Sequence, residues 1–348
     1  DFWERNFGEI ARERKNIPQS LARGGGGAPQ LPQAPPQKKP LVRQQSPDKL
    51  IQNQIKVRGV RRRTHDFTPK GRKDLGVGIN VGLSRTTNED MFVYFRSNSG
   101  QEVLVIADGA GGHDAGEVAA EITVRSFSPE KPPIDSIQEA IRNVSLYNQQ
   151  TGRDAATTVS VAVVDEEKMT LTAYNIGDSP IYVYRPGTDE LFELYDDDTA
   201  LYRYLLSRGL QPSQAKTIAF AASEQNLSSL DLVTHFKTLG FSDEEARQID
   251  TYIRSLGFTR NKLLQMVGGS SQPQIHSRSF QLRQGDVILL ASDGIEYMAS
   301  DYNLFVAKLK QILGNNSLNP QKKMKQLIEE ANKGGGGDNI TVIVREIR

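Results

Sequence analysis

From Leu75 to the end, the chain is a succession of short β-rich runs, and their spacing constrains the fold more than any other feature. GVGINVGL, MFVYF, EVLVIA, TTVSVAVV, MTLTAYNI, IYVYR, LFELY, QIHSRSFQL, DVILLA and NITVIVREI are rich in β-branched residues, and many alternate polar with apolar. Such runs read as strands with one face in a core. Several are separated by gaps as short as DEEK and RPGTDE. Antiparallel neighbours can be joined by so few residues, whereas a parallel crossover needs a dozen or more. Helical patterns interrupt in few places. One starts near Asp114, and another runs from Pro133 to Gln149 with Ile134, Ile137, Ile141 and Val144 on one face and Gly152 just beyond. Two more cover Tyr302 to Ile312 and Pro320 to Asn332. Proline at the start and glycine past the end fit helix boundaries. The expected fold is α+β, with antiparallel sheets flanked by helices that cover their outer faces.

Two segments depart from this rhythm. Between Thr199 and Lys262 the strand pattern stops, and LDLVTHFKTLG with SDEEARQIDTYIRSLG predicts a helical hairpin, Ser242 capping its second helix with Glu244 or Glu245 in the first turn. This insertion, at about 200–258, serves as a lid or docking element or is a decoration without function. The other segment is the N-terminus. Residues 1–73 hold 17 Lys and Arg against 6 Asp and Glu, although the whole chain is almost neutral at +1. A basic tail on an acidic domain follows from this division. Trp3, Phe7 and Ile10 allow a turn or two of helix, but IPQSLARGGGGAPQLPQAPPQKKP cannot bury enough apolar area to fold. Residues 1–73 are therefore expected to be mostly disordered, with 74–348 as the folded domain. The tail acts as a solvated tether or contacts an acidic partner such as nucleic acid or a membrane surface.

The absence of cysteine excludes a disulfide framework, a zinc-thiolate site and a cysteine nucleophile. No apolar run approaches the roughly 18 residues of a membrane span, and no signal-peptide pattern is found. A soluble, cytoplasmic protein is expected. The chain begins at Asp1 rather than Met, as a piece of a longer chain would.

Four carboxylates stand at strand ends beside Gly, Asn or Ser. Asp90 enters a strand in RTTNEDMFVYF, Asp108 leaves one in VLVIADGAGGHDAG, Asp293 leaves one in DVILLASDGIEYM, and Asp338 precedes the last in GGGGDNITVIV. Each Asp-Gly taken alone is also an ordinary turn signal. Strand ends are rigid, so the four could converge with little reorganisation. Together they would repel one another and take up protons unless cations offset the charge. All-oxygen ligation favours magnesium or manganese over zinc or copper. Two such ions about 3.5 to 4 Å apart make water acidic near neutral pH, without a Ser, Cys or His nucleophile. Phosphate ester hydrolysis is the reaction most suited to that clamp. Arg85, on the turn leading into Asp90, is the candidate to hold the phosphoryl oxygens.

In order along the chain, LSRTTNED, IADGAGGHDAGEVAA, DAATTVSVAVV, NIGDSPIYVYR, LLASDG and GGGDNITVIV resemble the motifs of the type 2C family of metal-dependent protein Ser/Thr phosphatases, in its bacterial branch. The resemblance covers about 75–348. It implies a four-layer αββα sandwich of two antiparallel sheets with the dinuclear site at one end. It also implies ligation by Asp90, Asp108, Asp293, Asp338 and the carbonyl of Gly109, a phosphate-binding role for Arg85, and ordering of water by Glu89. A third metal is implied at an aspartate before the paired threonines, and Asp154 is the candidate, three residues ahead of Thr157 where four is usual. Phosphorylated Ser/Thr proteins are the implied substrates and a cognate Ser/Thr kinase an implied partner.

The chain also departs from the family pattern. Ala110 stands where many members carry a general-acid histidine, and His113 is taken as structural. Gly177-Asp178-Ser179 continues with Pro180 instead of Arg and reads as a structural turn. Asp196 to Thr199 replaces the family's Asp-His-Ser ahead of the enlarged insertion, so the flap beside the catalytic mouth must differ. Its place there predicts that the insertion selects protein substrates and contributes little to the chemistry. Two other functions fit the chain less well. A dinucleotide loop fails on spacing, because the third glycine falls at Gly116. A catalytically silent scaffold would be expected to have lost ligands, yet the four aspartates and Arg85 are present.

Overall fold

Each of the ten expected runs contains a strand. The computed structural model describes residues 72–110, 115–222, 229–238, 240–255, 262–269 and 271–348, with 65–67 in addition. One sheet has six strands, in the order β1 (His65–Phe67), β2 (Leu75–Asn80), β11 (Ile340–Glu346), β10 (Val287–Ala291), β7 (Ile181–Arg185) and β8 (Glu190–Glu193). The other has five, β3 (Met91–Arg96), β4 (Glu102–Ala107), β5 (Val159–Asp165), β6 (Thr170–Ile176) and β9 (His276–Gln281). Every pairing is antiparallel, as the short gaps required. β1 was not anticipated; it lies within the segment expected to lack structure, the rest of which, up to residue 71, is outside the described residues. Arg72 is tied to the sandwich by Asp74 (2.9 Å) and Glu102 (2.8 Å).

Four layers result. α1 (Gly116–Arg125) and α2 (Pro133–Thr151) cover the outer face of the five-stranded sheet, burying Ile137, Ala140, Ile141 and Val144 against Val103, Val105 and Val161. Ile134, expected on that face, is only half-buried. α7 (Tyr302–Leu313) and α8 (Pro320–Lys333) cover the six-stranded sheet. Close approach of α8 depends on two glycines in β2. A Cβ at Gly76 would stand 2.3 Å from the Pro320 carbonyl oxygen, and one at Gly78 2.2 Å from Met324 Sδ. The apolar core between the sheets includes Leu104, Ile106, Ala162, Leu290 and Ile343.

Among its described residues the insertion holds four helices where two were expected: α3 (Ala200–Ser207), α4 (Pro212–Ala222), α5 (Ser229–Thr238) and α6 (Asp243–Ser255). α3 has only eight residues, and in α4 (PSQAKTIAFAA) the apolar residues run together after Thr217 rather than recur at helical spacing, so neither stands out from sequence. At the start of α6, Glu245 closes the capping box. Its N–H donates to Ser242 Oγ (3.3 Å) and its carboxylate accepts from Ser242 N–H (3.0 Å). Leu201, Leu205, Ile218, Phe236, Ile249 and Ile253 form a core belonging to the insertion itself. No helix among the described residues is long and apolar enough to cross a membrane.

Candidate metal centre

The four strand-end aspartates come from both sheets to the same end of the sandwich. Asp90 enters β3, Asp108 leaves β4, Asp293 opens the 3₁₀ turn Asp293–Met298 after β10, and Asp338 precedes β11. Asp90 is 1% exposed. Its Oδ2 accepts from Ser292 Oγ (2.8 Å) and Thr341 Oγ1 (2.7 Å), which bind it from the opposite sheet. The other oxygen, Oδ1, is buried and has no hydrogen-bond partner among the described residues. A buried carboxylate oxygen left open in this way is costly unless something else satisfies it. Burial raises the Asp90 pKa to about 6, against the two hydroxyl bonds, with the charge of Asp338 adding to the rise.

Asp108 is at the electrical centre of the group. Burial, and then the charges of Asp90, Asp293, Asp178 and Asp338, push its carboxyl well above the ordinary range. Its backbone is fixed by the paired threonines: its N–H donates to Thr158 Oγ1 (3.1 Å), and its carbonyl accepts from Thr158 N–H (2.9 Å) and Thr157 Oγ1 (2.7 Å). Gly109 is where three segments meet. Its N–H donates to the Glu89 carbonyl (3.2 Å), and a Cβ there would stand 2.6 Å from the Gly116 carbonyl carbon and 2.8 Å from the Glu89 oxygen. Only glycine permits that approach.

Arg85 is exposed, and its Nη2 lies 2.8 Å from Asp338 Oδ2. Burial and the neighbouring charge of Glu117, on the first turn of α1, raise the pKa of Glu89. As the side chains stand, no three His, Asp or Glu residues among the described ones enclose a common point as an ion would require; Arg85 occupies one side of the cluster. The donor set nevertheless suits a hard cation: crowded carboxylates, an open oxygen on Asp90 and no sulfur. Asp154 is exposed in the loop after α2. That loop is joined to the segment after Gly109 by the Ala110 N–H, which donates to the Ala156 carbonyl (3.0 Å). His113 lies outside the described residues.

Two contributors escaped the sequence reading. Asp178, taken there as part of a turn, is a fifth carboxylate of the cluster. Burial and then Asp293, Asp197 and Glu296 push it well above the ordinary range. Its signal was the same as that of Asp108 and Asp293, a carboxylate beside glycine at a strand exit. Asn339 organises the Arg85–Glu89 turn, donating to the carbonyls of Val81 (3.0 Å) and Thr87 (2.9 Å) and accepting from Glu89 N–H (2.8 Å).

A pH dependence follows. Asp90, Asp108 and Asp178 have raised pKa values in the fold, so the folded state binds more protons than the unfolded chain between their two pKa values. Stability is greatest below the unfolded value and declines as pH rises through the folded one. In chelator, the melting temperature should fall by at least about 5 °C between pH 5 and pH 7.5. Manganese should restore more of it at pH 7.5 than at pH 5. A chelated protein that is more stable at pH 7.5 would contradict the assigned crowding.

The model of the family described as Protein phosphatase 2C matches residues 83–330. Protein phosphatase PhpP of Streptococcus pneumoniae serotype 2 is 27% identical over 284 residues, which span 77% of this chain and 95% of that protein. The fold resembles the S. agalactiae serine/threonine phosphatase, with a TM-score of 0.58 and 21% identity over 79% of this chain and 99% of that one. It also resembles the catalytic domain of the serine threonine protein phosphatase PstP in complex with two manganese ions, with a TM-score of 0.54 and 22% identity over 78% of this chain and 96% of that one.

Proposed function

The chain belongs to the protein phosphatase 2C family, and from that premise we propose that Asp90, Asp108, Asp293 and Asp338, with the Gly109 carbonyl, hold two manganese or magnesium ions. The protein is a metal-dependent protein Ser/Thr phosphatase, acting on phosphorylated Ser/Thr proteins. The observation that supports the site assignment is the crowding: carboxylates from both sheets share one sandwich end, and burial and mutual charge raise the pKa values of Asp90 and Asp108 there. Bound divalent ions supply charge that acidifies water and offsets the attacking and leaving oxygens of a phosphate ester.

The protein's residues do the rest. Ser292 and Thr341 hold Asp90 in one orientation, so the geometry is set before substrate arrives. Glu89, half-buried beside Gly109 and Gly116, orders water at the mouth. Arg85, exposed at its rim, offers a planar fork to the phosphoryl oxygens and is within reach because it already pairs with Asp338. A third ion would draw on Asp154. Residues 74–348 form the phosphatase domain, the basic tail before it recruits an acidic partner or tethers the enzyme, and a Ser/Thr kinase in the cytoplasm supplies the substrates.

Hydrolysis of p-nitrophenyl phosphate and of a phosphothreonine peptide should need added manganese or magnesium, stop with chelator, and survive thiol alkylation. Turnover persisting in chelator would sink the reading. In the same assay Arg85→Ala should raise KM by roughly tenfold to a hundredfold, the worth of a charged hydrogen-bonded contact. Calorimetry should find metal affinity undiminished, since the change frees Asp338. An unaltered KM would remove Arg85 from phosphate binding.

A further inference from the structure

The insertion could hang from the sandwich by its two ends alone, since Thr199 bridges Leu263 and the Ala200 N–H donates to the Lys262 carbonyl (2.8 Å). Instead α4 sends two side chains back. Phe220 packs on Tyr302 and Phe305 of α7, with ring centroids 5.5 and 5.3 Å apart. Lys216, 3% exposed, carries its ammonium to Asp197 Oδ2 (2.5 Å) and the Tyr195 hydroxyl (2.6 Å). The rings of Tyr195 and Tyr202 lie 4.7 and 4.9 Å from the charge, a further stabilisation for a desolvated cation.

Asp197 lies on a strap that is itself bonded to the turn carrying Asp178. Asp198 N–H donates to the Gly177 carbonyl (3.3 Å), and Gly177 N–H donates to Asp198 Oδ2 (3.1 Å). A cavity of ≈ 20 Å³ lies where these pieces meet, lined by Lys216 and Asp197 together with Asp178, Asp293 and Glu296. A space of that size takes about one water, so no substrate enters it. What passes between insertion and centre there is charge and hydrogen bonding.

We propose that Lys216 is a positioning residue that couples the seating of the helical insertion to metal occupancy of the neighbouring centre. The inference rests on the reading of Asp293 as a ligand. Asp293 and Glu296 share one 3₁₀ turn, so fixing the first fixes the second, which lines the cavity with Lys216. The turn that carries Asp178 is bonded through Gly177 to the strap that carries Asp197. An ion beyond Asp293 repels the ammonium, but at longer range and with carboxylates between them. The Asp197 contact is made with or without an ion, so the positive sign of the coupling comes from ordering of the 3₁₀ turn and the strap. By reciprocity, what the seated insertion adds to metal affinity, bound metal must add to the seating.

Amide hydrogen exchange of the whole chain with and without manganese tests this. In the wild type, manganese should slow exchange about tenfold both at 292–298 and 338–341 and in α4. Lys216→Met should keep the first effect and lose the second, while Lys216→Arg keeps both. Protection confined to the strand ends in the wild type overturns the proposal, as does α4 protection that survives Lys216→Met. Should that variant fail to fold, the wild-type arm decides. If manganese protects nothing, the ligand assignment fails and takes the coupling with it, a result distinct from protection that stops short of α4.

Discussion

Asp108→Asn should reduce turnover by about three orders of magnitude or more, roughly 4 kcal/mol in barrier, while leaving the metal-free protein at least as stable as the wild type. The opposite signs are the point of the experiment. The backbone of residue 108 is placed by hydrogen bonds with Thr157 and Thr158, and an amide side chain leaves those bonds in place. The carboxyl itself is held at a cost, surrounded by Asp90, Asp293, Asp178 and Asp338. Replacing it by a neutral isostere relieves that repulsion and removes the charge a divalent ion needs. Chemical denaturation in chelator, alongside activity in saturating manganese, measures both. Appreciable turnover would end the dinuclear assignment, and a large loss of metal-free stability would mean that the carboxyl is structural.

Much of this centre was legible in the sequence, because strand ends announce themselves. Alternating β-branched runs fixed where Asp90, Asp108, Asp293 and Asp338 had to stand, and antiparallel pairing brought entries and exits of different strands to one end. Asp178 obeyed the same rule and was passed over, because Gly-Asp-Ser is equally good turn chemistry. The ties that orient Asp90 were not legible. Ser292 and Thr341 meet it across 202 and 251 residues of chain, and no local pattern encodes such a distance. The insertion shows the limit from another side. Charged, amphipathic α6 could be recognised, but Lys216 on α4 carries no periodic signal. Its importance arises only when Asp197, a strap residue before the insertion, meets it in three dimensions.

That meeting alters what removing the insertion should do. From sequence alone the insertion looked separable, a selector of protein substrates attached beside a self-sufficient sandwich. Its ends are adjacent at Thr199 and Leu263, so replacing 200–262 by a short Gly-Ser linker is geometrically simple. Excision, however, takes Lys216 away from Asp197, which is 8% exposed and is held ionised chiefly by that ammonium. Breaking a buried pair by removing one partner costs about 3–5 kcal/mol, because the remaining charge is uncompensated. Loss of Phe220 from its place against Tyr302 and Phe305 adds a further packing cost. The excised protein should therefore unfold at markedly lower urea concentration than the intact chain. Asp197→Asn in the excised background should recover the electrostatic share and leave the packing share lost, whereas the same substitution in the intact chain strands Lys216 and destabilises it. The change of sign between the two backgrounds distinguishes a buried ion pair from general loss of contact. If Asp197→Asn had the same effect in both, the pair would not be what joins insertion to sandwich.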